Sequence, residues 1–304
     1  MGGPMLTVGS VALDTVSTPF GKVQEALGGA ASYASVAASL FTRTRVVAVV
    51  GEDFPEEHVQ ALAARGVDLT GLARAPGRTF RWAGYYEYDL AQAHTIATEL
   101  NVFESFRPAL PESYRDSPYV FLANIDPRLQ LAVLDQVRRP RLVACDTMNY
   151  WIEQAPEALR AVLARVDIAL MNEAEARQLC GETNLLRAAR RVLELGPGVV
   201  VIKKGEHGCL MLSHTSYFAA PGYPLEEVRD PTGAGDTFAG GLVGYLARCG
   251  EEGEEALRRA IICGTVMASF AVEAFSLDRL LRLTPEEIAE RYYEMSTITR
   301  FGGM

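Results

Sequence analysis

Two aspartates bracket a glycine-rich turn in the string Asp230-Pro231-Thr232-Gly233-Ala234-Gly235-Asp236-Thr237-Phe238. Ala239-Gly240-Gly241 and an apolar-periodic run through Leu242, Val243, Tyr245 and Leu246 follow at once, so the turn opens a helix. Two glycines around an alanine at such a start leave backbone N–H groups free to face an anion, where the helix dipole also favours negative charge. A carboxylate in the first turn cannot help hold a phosphate, because like charges repel. Asp236 is therefore placed to act as a base on a nearby hydroxyl. For a lone Gly-x-Gly-Asp the plainer account is an ordinary first-turn acid on the dipole, since short motifs recur by chance.

Other candidates for chemistry lie upstream and downstream. Gly9-Ser10 and Asp14 close an apolar stretch, and Gly28-Gly29 precedes the small-residue run Ala30-Ala31-Ser32-Tyr33-Ala34, where a ligand or a sheet could approach closely. Asn172-Glu173-Ala174-Glu175 puts acids into a first helical turn, which also suits an ordinary helix start. Lys203 ends the apolar run Val199 to Lys203 before a turn containing Gly205, His207 and Gly208; a solvated lysine and a surface histidine are the ordinary states there. Gly264, Ala268 and Ser269 are small residues on a helical pattern, which close helix packing would also explain.

The nine-residue string, with Gly9-Ser10, Asp14, Gly28-Gly29 and Asn172 to Glu175 in the same order, resembles the ribokinase, or phosphofructokinase B, family of carbohydrate and nucleoside kinases. The resemblance runs from Gly9 to at least Ser269. It implies transfer of the γ-phosphoryl group of ATP to a hydroxyl of a sugar or cyclic polyol, with a nucleoside kinase as the alternative. Asp236 would be the base, and the Gly233, Ala234 and Gly235 backbone the anion hole. Asp14, Gly28, Gly29, Tyr33 and Asn124 would meet the acceptor. Lys203, Gly205, Gly208, Thr232, Gly264 and Ala268 would meet the nucleotide. Asn172, and Glu175 through water, would organise Mg2+; Asp230 and Thr232 match residues that hold a monovalent cation, potassium, in some relatives. Tyr33 stands where ribokinase-like members often carry a polar amide, so a ribose specificity is not implied.

The elements that must position these residues alternate. Apolar strand-like runs at Leu6 to Val11, Val46 to Val50, Tyr119 to Ala123, Leu142 to Cys145, Ile168 to Met171 and Val199 to Lys203 interleave with helical patterns. The helices are expected at Ala30 to Leu40, Pro55 to about Gly66, Pro127 to Arg138, Pro156 to Val166, Glu173 to Cys180, Leu185 to Leu195, Glu254 to about Phe270 and Thr284 to Met295. Such alternation means a mostly parallel sheet with helices on both faces and ligands beyond the carboxyl ends of its strands. Asn124, Asp126, Asp146, Asn149 and Asn172 fall on that rim, although each also suits a turn. A loop through Pro19 and Gly21 is expected between Asp14 and Gly28. Arg78 to Asp89 mixes Phe80, Trp82, Tyr85, Tyr86 and Tyr88 with polar residues. It reads either as an edge hairpin or as a strand of a lid closing over a ligand. The family resemblance favours the lid and a homodimer formed through it. The whole is expected to be one α/β domain over 1–304, with lid segments near 12–22 and 76–104.

Composition bounds the rest. With 304 residues, 49% hydrophobic and 22% charged, the chain can bury a substantial core. A net charge of -9 argues against a general nucleic-acid binder but leaves room for a local anion site. Five cysteines without a Cys-x-x-Cys pair suggest buried thiols in a reducing compartment. No export signal and no apolar run approaching the roughly 20 residues of a membrane span are seen, so a soluble cytoplasmic protein is expected. A dinucleotide-dependent dehydrogenase would need Gly-x-Gly-x-x-Gly after the first strand, and Val8 to Asp14 lacks it. A non-catalytic sugar or nucleotide sensor on the same fold is opposed by the intact Asp236.

Overall fold

The computed structural model describes residues 2–300. The first half of the chain forms β1 (Met5–Val8), β2 (Ala12–Thr18), β3 (Gly21–Gly28), α1 (Ala30–Ser39), β4 (Thr44–Gly51), α2 (Glu56–Ala64), β5 (Val67–Ala75), β6 (Arg81–Tyr86), β7 (Ala93–Glu99) and β8 (Tyr119–Leu122). There follow α3 (Pro127–Leu134), β9 (Leu142–Asp146), α4 (Asn149–Gln154), α5 (Pro156–Leu163), β10 (Ile168–Asn172), α6 (Glu173–Cys180), α7 (Leu185–Leu193) and β11 (Val199–Lys203). β12 (Cys209–Ser213), β13 (Tyr217–Ala220), α8 (Ala234–Cys249), α9 (Glu254–Ala271) and α10 (Pro285–Ile298) complete the order.

Nine strands make the main sheet, in the order β13-β12-β11-β10-β9-β8-β1-β4-β5. β5 through β11 in that order run parallel, and β12 and β13 add antiparallel pairs at one edge. The central strands are apolar throughout because both faces are covered. Leu6, Val8, Val120 and Leu122 join one core cluster, while Met5, Tyr119 and Phe121 point into another on the opposite face. α3, α5, α6 and α7 supply the first cluster; α8 and α9 pack over the second. Gly240 and Gly244 let α8 lie directly on the backbone of α1 at Ala34 and Ala38. That approach brings the start of α8 up to the ends of the central strands. β1 pairs with β4 on one side and β8 on the other, so the strand order reverses there, the place where open α/β sheets hold ligands.

A second sheet of four strands, β3-β2-β6-β7, forms the lid. The expected loop between Asp14 and Gly28 is instead the hairpin β2–β3, which extends this sheet to Gly28. Its strand β3 alternates poorly, with half its residues exposed, and so lacks the apolar signal that marks a buried strand. The first predicted strand divides for a related reason. Residues 5–8 stay in the main sheet, and the chain leaves it at Gly9 to build the lid. β5, β12, β13 and α4 were not expected; β5 and β13 are half-exposed sheet edges with mixed polarity. α3 stops at Leu134 rather than Arg138. The chain leaves the lid through the end of β7 and a 3-10 turn at Asn101–Ser105.

Candidate active site

Asp236 sits in the first turn of α8, behind an N-cap at Gly233 whose φ of 74° is the left-handed conformation that favours glycine. Ala234 spends its N–H on the Pro231 carbonyl at 3.2 Å, and Thr237 N–H returns to Gly233 O at 2.8 Å. The Gly233 and Gly235 amides have no backbone partner among the described residues. Gly233 has no room for a side chain, since a Cβ there would lie 2.5 Å from the Tyr33 ring; one at Gly235 would lie 3.1 Å from Lys203 Nζ, which would have to give way slightly. An aromatic ring thus covers one side of the turn and an ammonium the other.

The ring side gathers acids. Asp14 on β2 accepts the Gly29 N–H at 3.3 Å, and a Cβ at Gly28 would collide with its carboxyl group. Ser10 Oγ accepts the Ala30 N–H at 3.0 Å, completing the start of α1. Burial pushes the Asp14 carboxyl up to about 7; the Gly29 bond opposes this, and Asp230 and Asp236 add to it. Asp230 accepts the Thr232 N–H at 2.9 Å with one oxygen, while its other oxygen is buried without a partner among the described residues. Burial raises its pKa too. Thr232 Oγ1 donates to the Tyr86 hydroxyl at 3.4 Å, linking this loop to the lid. Burial, and then the three carboxylates, hold the Tyr33 phenol well above the usual tyrosine range.

The ammonium side is a charged cluster. Lys203, at the carboxyl end of β11, forms a buried ion pair with Asp146, at the end of β9. Asp146 also accepts the Thr147 N–H at 2.9 Å, and its main-chain carbonyl accepts the Gln130 amide at 3.1 Å. Burial disfavours charge on Lys203, but Asp146, Glu175 and Asp236 overcome it and raise the group above an ordinary lysine. Asn172 and Glu175 form a full capping box on α6: Glu175 N–H donates to Asn172 Oδ1 at 2.9 Å, and Glu175 Oε2 accepts the Asn172 N–H at 2.6 Å. Burial pushes the Glu175 carboxyl up to about 7, against the pull of Lys203. Asp236 lies between the two sides. Burial first, and then Asp146, push it up to about 7, while Lys203 pulls it down.

A model of the pfkB family of carbohydrate kinases matches residues 7–277. The chain belongs to that family. It is 32% identical over 260 residues to a cytidine kinase of Thermococcus kodakarensis, covering 84% of this chain and 92% of that one. The fold matches the crystal structure of a Methanocaldococcus jannaschii nucleoside kinase, an archaeal ribokinase-family member. The TM-score is 0.78 at 20% identity, over 97% of this chain and 100% of that one. It matches equally an Escherichia coli ribokinase II-type protein in complex with ATP and Mg2+, with a TM-score of 0.79 at 21% identity over 96% and 99% of the two chains. This pfkB kinase is a phosphotransferase with a hydroxyl acceptor, of a family that uses ATP. Among the described residues no helix is long and apolar enough to cross a membrane.

The structure brings Asp14, Gly28, Gly29, Tyr33, Asp230, Thr232, Gly233, Ala234, Gly235, Asp236, Asn172, Glu175 and Lys203 around one start of a helix. Asn124 closes β8 on the same rim, its Oδ1 buried without a partner among the described residues. Gly205 and Gly208 lie in the β11–β12 turn. A Cβ at Gly205 would meet nothing, whereas Gly208 is pressed against Ala220 to Gly222. Gly264 faces Phe238 across the α8–α9 contact, where a Cβ would lie 2.8 Å from Phe238 O. Its small size therefore serves helix packing. Ala268, one turn further along α9, is half-buried. The sequence reading placed Asp146 on the rim, while a turn would equally explain it, and passed over Gln130 and Thr18. The signal for Asp146 was its place at the carboxyl end of an apolar strand.

Proposed function

We propose that this kinase transfers the γ-phosphoryl group of ATP to a hydroxyl of a nucleoside, in preference to the sugar or cyclic polyol that leads the sequence reading. The cytidine kinase likeness, over 84% of this chain, carries the choice. The acceptor side supports it. It is walled by Tyr33, Tyr86 and the acids Asp14, Asp230 and Asp236, whose burial disfavours their charged forms, a lining suited to a neutral, hydroxyl-bearing ligand.

In this reading Asp14 accepts hydrogen bonds from acceptor hydroxyls, and the bare Gly28-Gly29 backbone lets the ring lie against it. Tyr33 and Asn124 complete the wall. Asp236 takes the proton of the attacking hydroxyl. Its raised pKa makes it a better base than an exposed aspartate while leaving it ionised above about pH 7. The Gly233 and Gly235 amides and the end of α8 stabilise charge growing on the phosphoryl oxygens. Lys203 approaches the same oxygens from the opposite flank, and Gly205, Gly208, Thr232, Gly264 and Ala268 border the rest of the nucleotide.

Among the described residues no group of three or more ligating side chains gathers to hold a metal by itself, so a divalent cation would be one carried in with ATP, beside the carboxyls of Glu175 and Asp236 that burial raises. Asn172 and, through water, Glu175 would hold Mg2+, which when bound neutralises phosphate charge. The unpartnered Asp230 oxygen fits a monovalent cation such as K+. A homodimer through the lid's edge strand β7, whose residues are mostly exposed, belongs to the same proposal.

The test is ADP release from MgATP with a panel of nucleosides, pentoses, hexoses, sugar phosphates and cyclic polyols. Nucleoside-dependent release is expected, and it should fall by about 10²- to 10⁴-fold in Asp236→Asn. Undiminished release in that variant would remove Asp236 from the mechanism.

A further inference from the structure

One face of the lid is turned to the site. β2 and β6 run parallel with Asp14 beside Trp82 and Val16 beside Gly84. Registered neighbours share a face and alternate residues return to it, so Asp14, Val16 and Thr18 stand with Trp82, Gly84 and Tyr86. Two contacts join that face to the loop before the anion hole. Thr18 Oγ1 donates to Arg229 O at 2.9 Å, and Tyr86 accepts from Thr232. The opposite face takes Arg81, paired with Asp53 and with Glu25 at 2.7 Å each, and Tyr85, stacked on His94.

On the site-facing side the Trp82 ring lies down along the strand. The far edge of its six-membered ring occupies the volume that a side chain at Gly84 would need, and a Cβ there would also lie 3.0 Å from His94 O. Glycine at 84 is therefore what allows the indole to lie flat instead of standing away from the sheet. Trp82 Nε1 donates to Thr95 Oγ1 at 3.2 Å on β7, which pins the ring and satisfies its one polar group. A half-buried aromatic plane thus remains on the face that carries Asp14, on the strand next to it.

We propose that Trp82, laid across Gly84, is the platform on which the base of a neutral nucleoside stacks while Asp14 holds the ribose hydroxyls; this role rests on the nucleoside reading above. Bases stack on indoles through their π-faces, which sugars and polyols lack. Neutrality follows from the surroundings. The acids Asp14, Asp230 and Asp236 belong to this face and loop, while the nearby cations are paired, Arg81 with Asp53 and Glu25 on the other side and Arg229 with Glu227 at 3.6 Å.

The chain has two tryptophans, at 82 and 151, so Trp151→Phe leaves Trp82 as the sole indole reporter. In that background cytidine, uridine or adenosine should quench fluorescence saturably, while ribose and myo-inositol should not. Trp82→Leu should raise the nucleoside KM by about 10- to 100-fold and leave the ATP KM in place; Trp82→Phe should recover most of the loss. Gly84→Val, which lifts the ring, should act like Trp82→Leu although it touches no ligand. Nucleoside phosphorylation with a KM unmoved by Trp82→Leu would overturn the platform alone. Phosphorylation of ribose or myo-inositol with no nucleoside accepted would overturn both the platform and the nucleoside reading.

Discussion

On the lid side of Asp236, Asp14 and Asp230 face each other with only tyrosines and backbone amides between them, and burial leaves their charge poorly compensated. On the other side, Asp146 and Glu175 surround Lys203, whose ammonium is held beside Gly235. The two flanks are equally rich in acids, yet one contains a cation and the other contains none among the groups that set its acidity. The difference is what the proposed division of labour rests on: phosphates on the flank that holds an ammonium, hydroxyls on the flank that does not. The pKa of Asp236 itself is set by burial and by the ammonium side, Asp146 raising it and Lys203 lowering it.

The largest expected effect comes from breaking the lid-side arrangement at its tightest point. Gly28→Ala puts a methyl group onto the Asp14 carboxylate, so acceptor kcat/KM should fall by at least about 10²-fold, with ATP binding retained in a calorimetric titration. Next is Lys203→Met, which leaves Asp146 buried and unpaired. A stability loss of about 3 kcal/mol by denaturant unfolding is expected, together with a higher ATP KM, because removing one partner strands the other.

The same variant sharpens the comparison through pH. Asp236 works as a base only when ionised, so kcat/KM should fall as pH drops through about 7. Burial and Asp146 oppose that ionisation, and Lys203 favours it. Lys203→Met should therefore move the acidic limb to higher pH, and Asp146→Asn to lower pH; the same direction of shift in both would contradict the division. Stability carries the opposite sign. The carboxyl of Asp236 is protonated more readily when folded, so its contribution is fully present below about 4 and is lost as pH rises through about 7. Asp236→Asn should accordingly raise Tm by a few degrees, about 2 °C or more, at pH 8 while it removes activity. Smallest of all is Tyr86→Phe. Its 3.4 Å contact with Thr232 is long, and a change in kcat/KM of less than about 5-fold is expected, within the ~1 kcal/mol of one ordinary hydrogen bond.

Much of the frame was legible because it is built from local signals. Apolar runs such as Tyr119 to Leu122 can only be strands buried on both faces, and Thr284-Pro285-Glu286-Glu287 announces the capped start of α10. Gly233 and Asp236 stood out because a turn of positive φ leading into a helix leaves its mark on residue types. The hairpin β2–β3 did not, since its outer strand is exposed and polar and is held by ladder bonds that any sequence can make. β12 and β13 were missed for a similar reason, as short antiparallel strands at the sheet edge.

The sequence by itself determined the alternation of strands and helices, the anion-facing turn at Gly233 to Gly235 and the acid placed behind it, because each depends on neighbours a few residues apart. Only the tertiary structure decided which groups share their charge with Asp236. Asp146 and Lys203 are far apart in the chain and meet because β9 and β11 flank β10 in one sheet. Asp14 and Tyr33 reach Gly233 because α1 packs directly on α8 and β2 leaves the main sheet to join the lid. Electrostatic coupling acts through space across a few ångströms, and the spacing of residues along the chain carries no record of it.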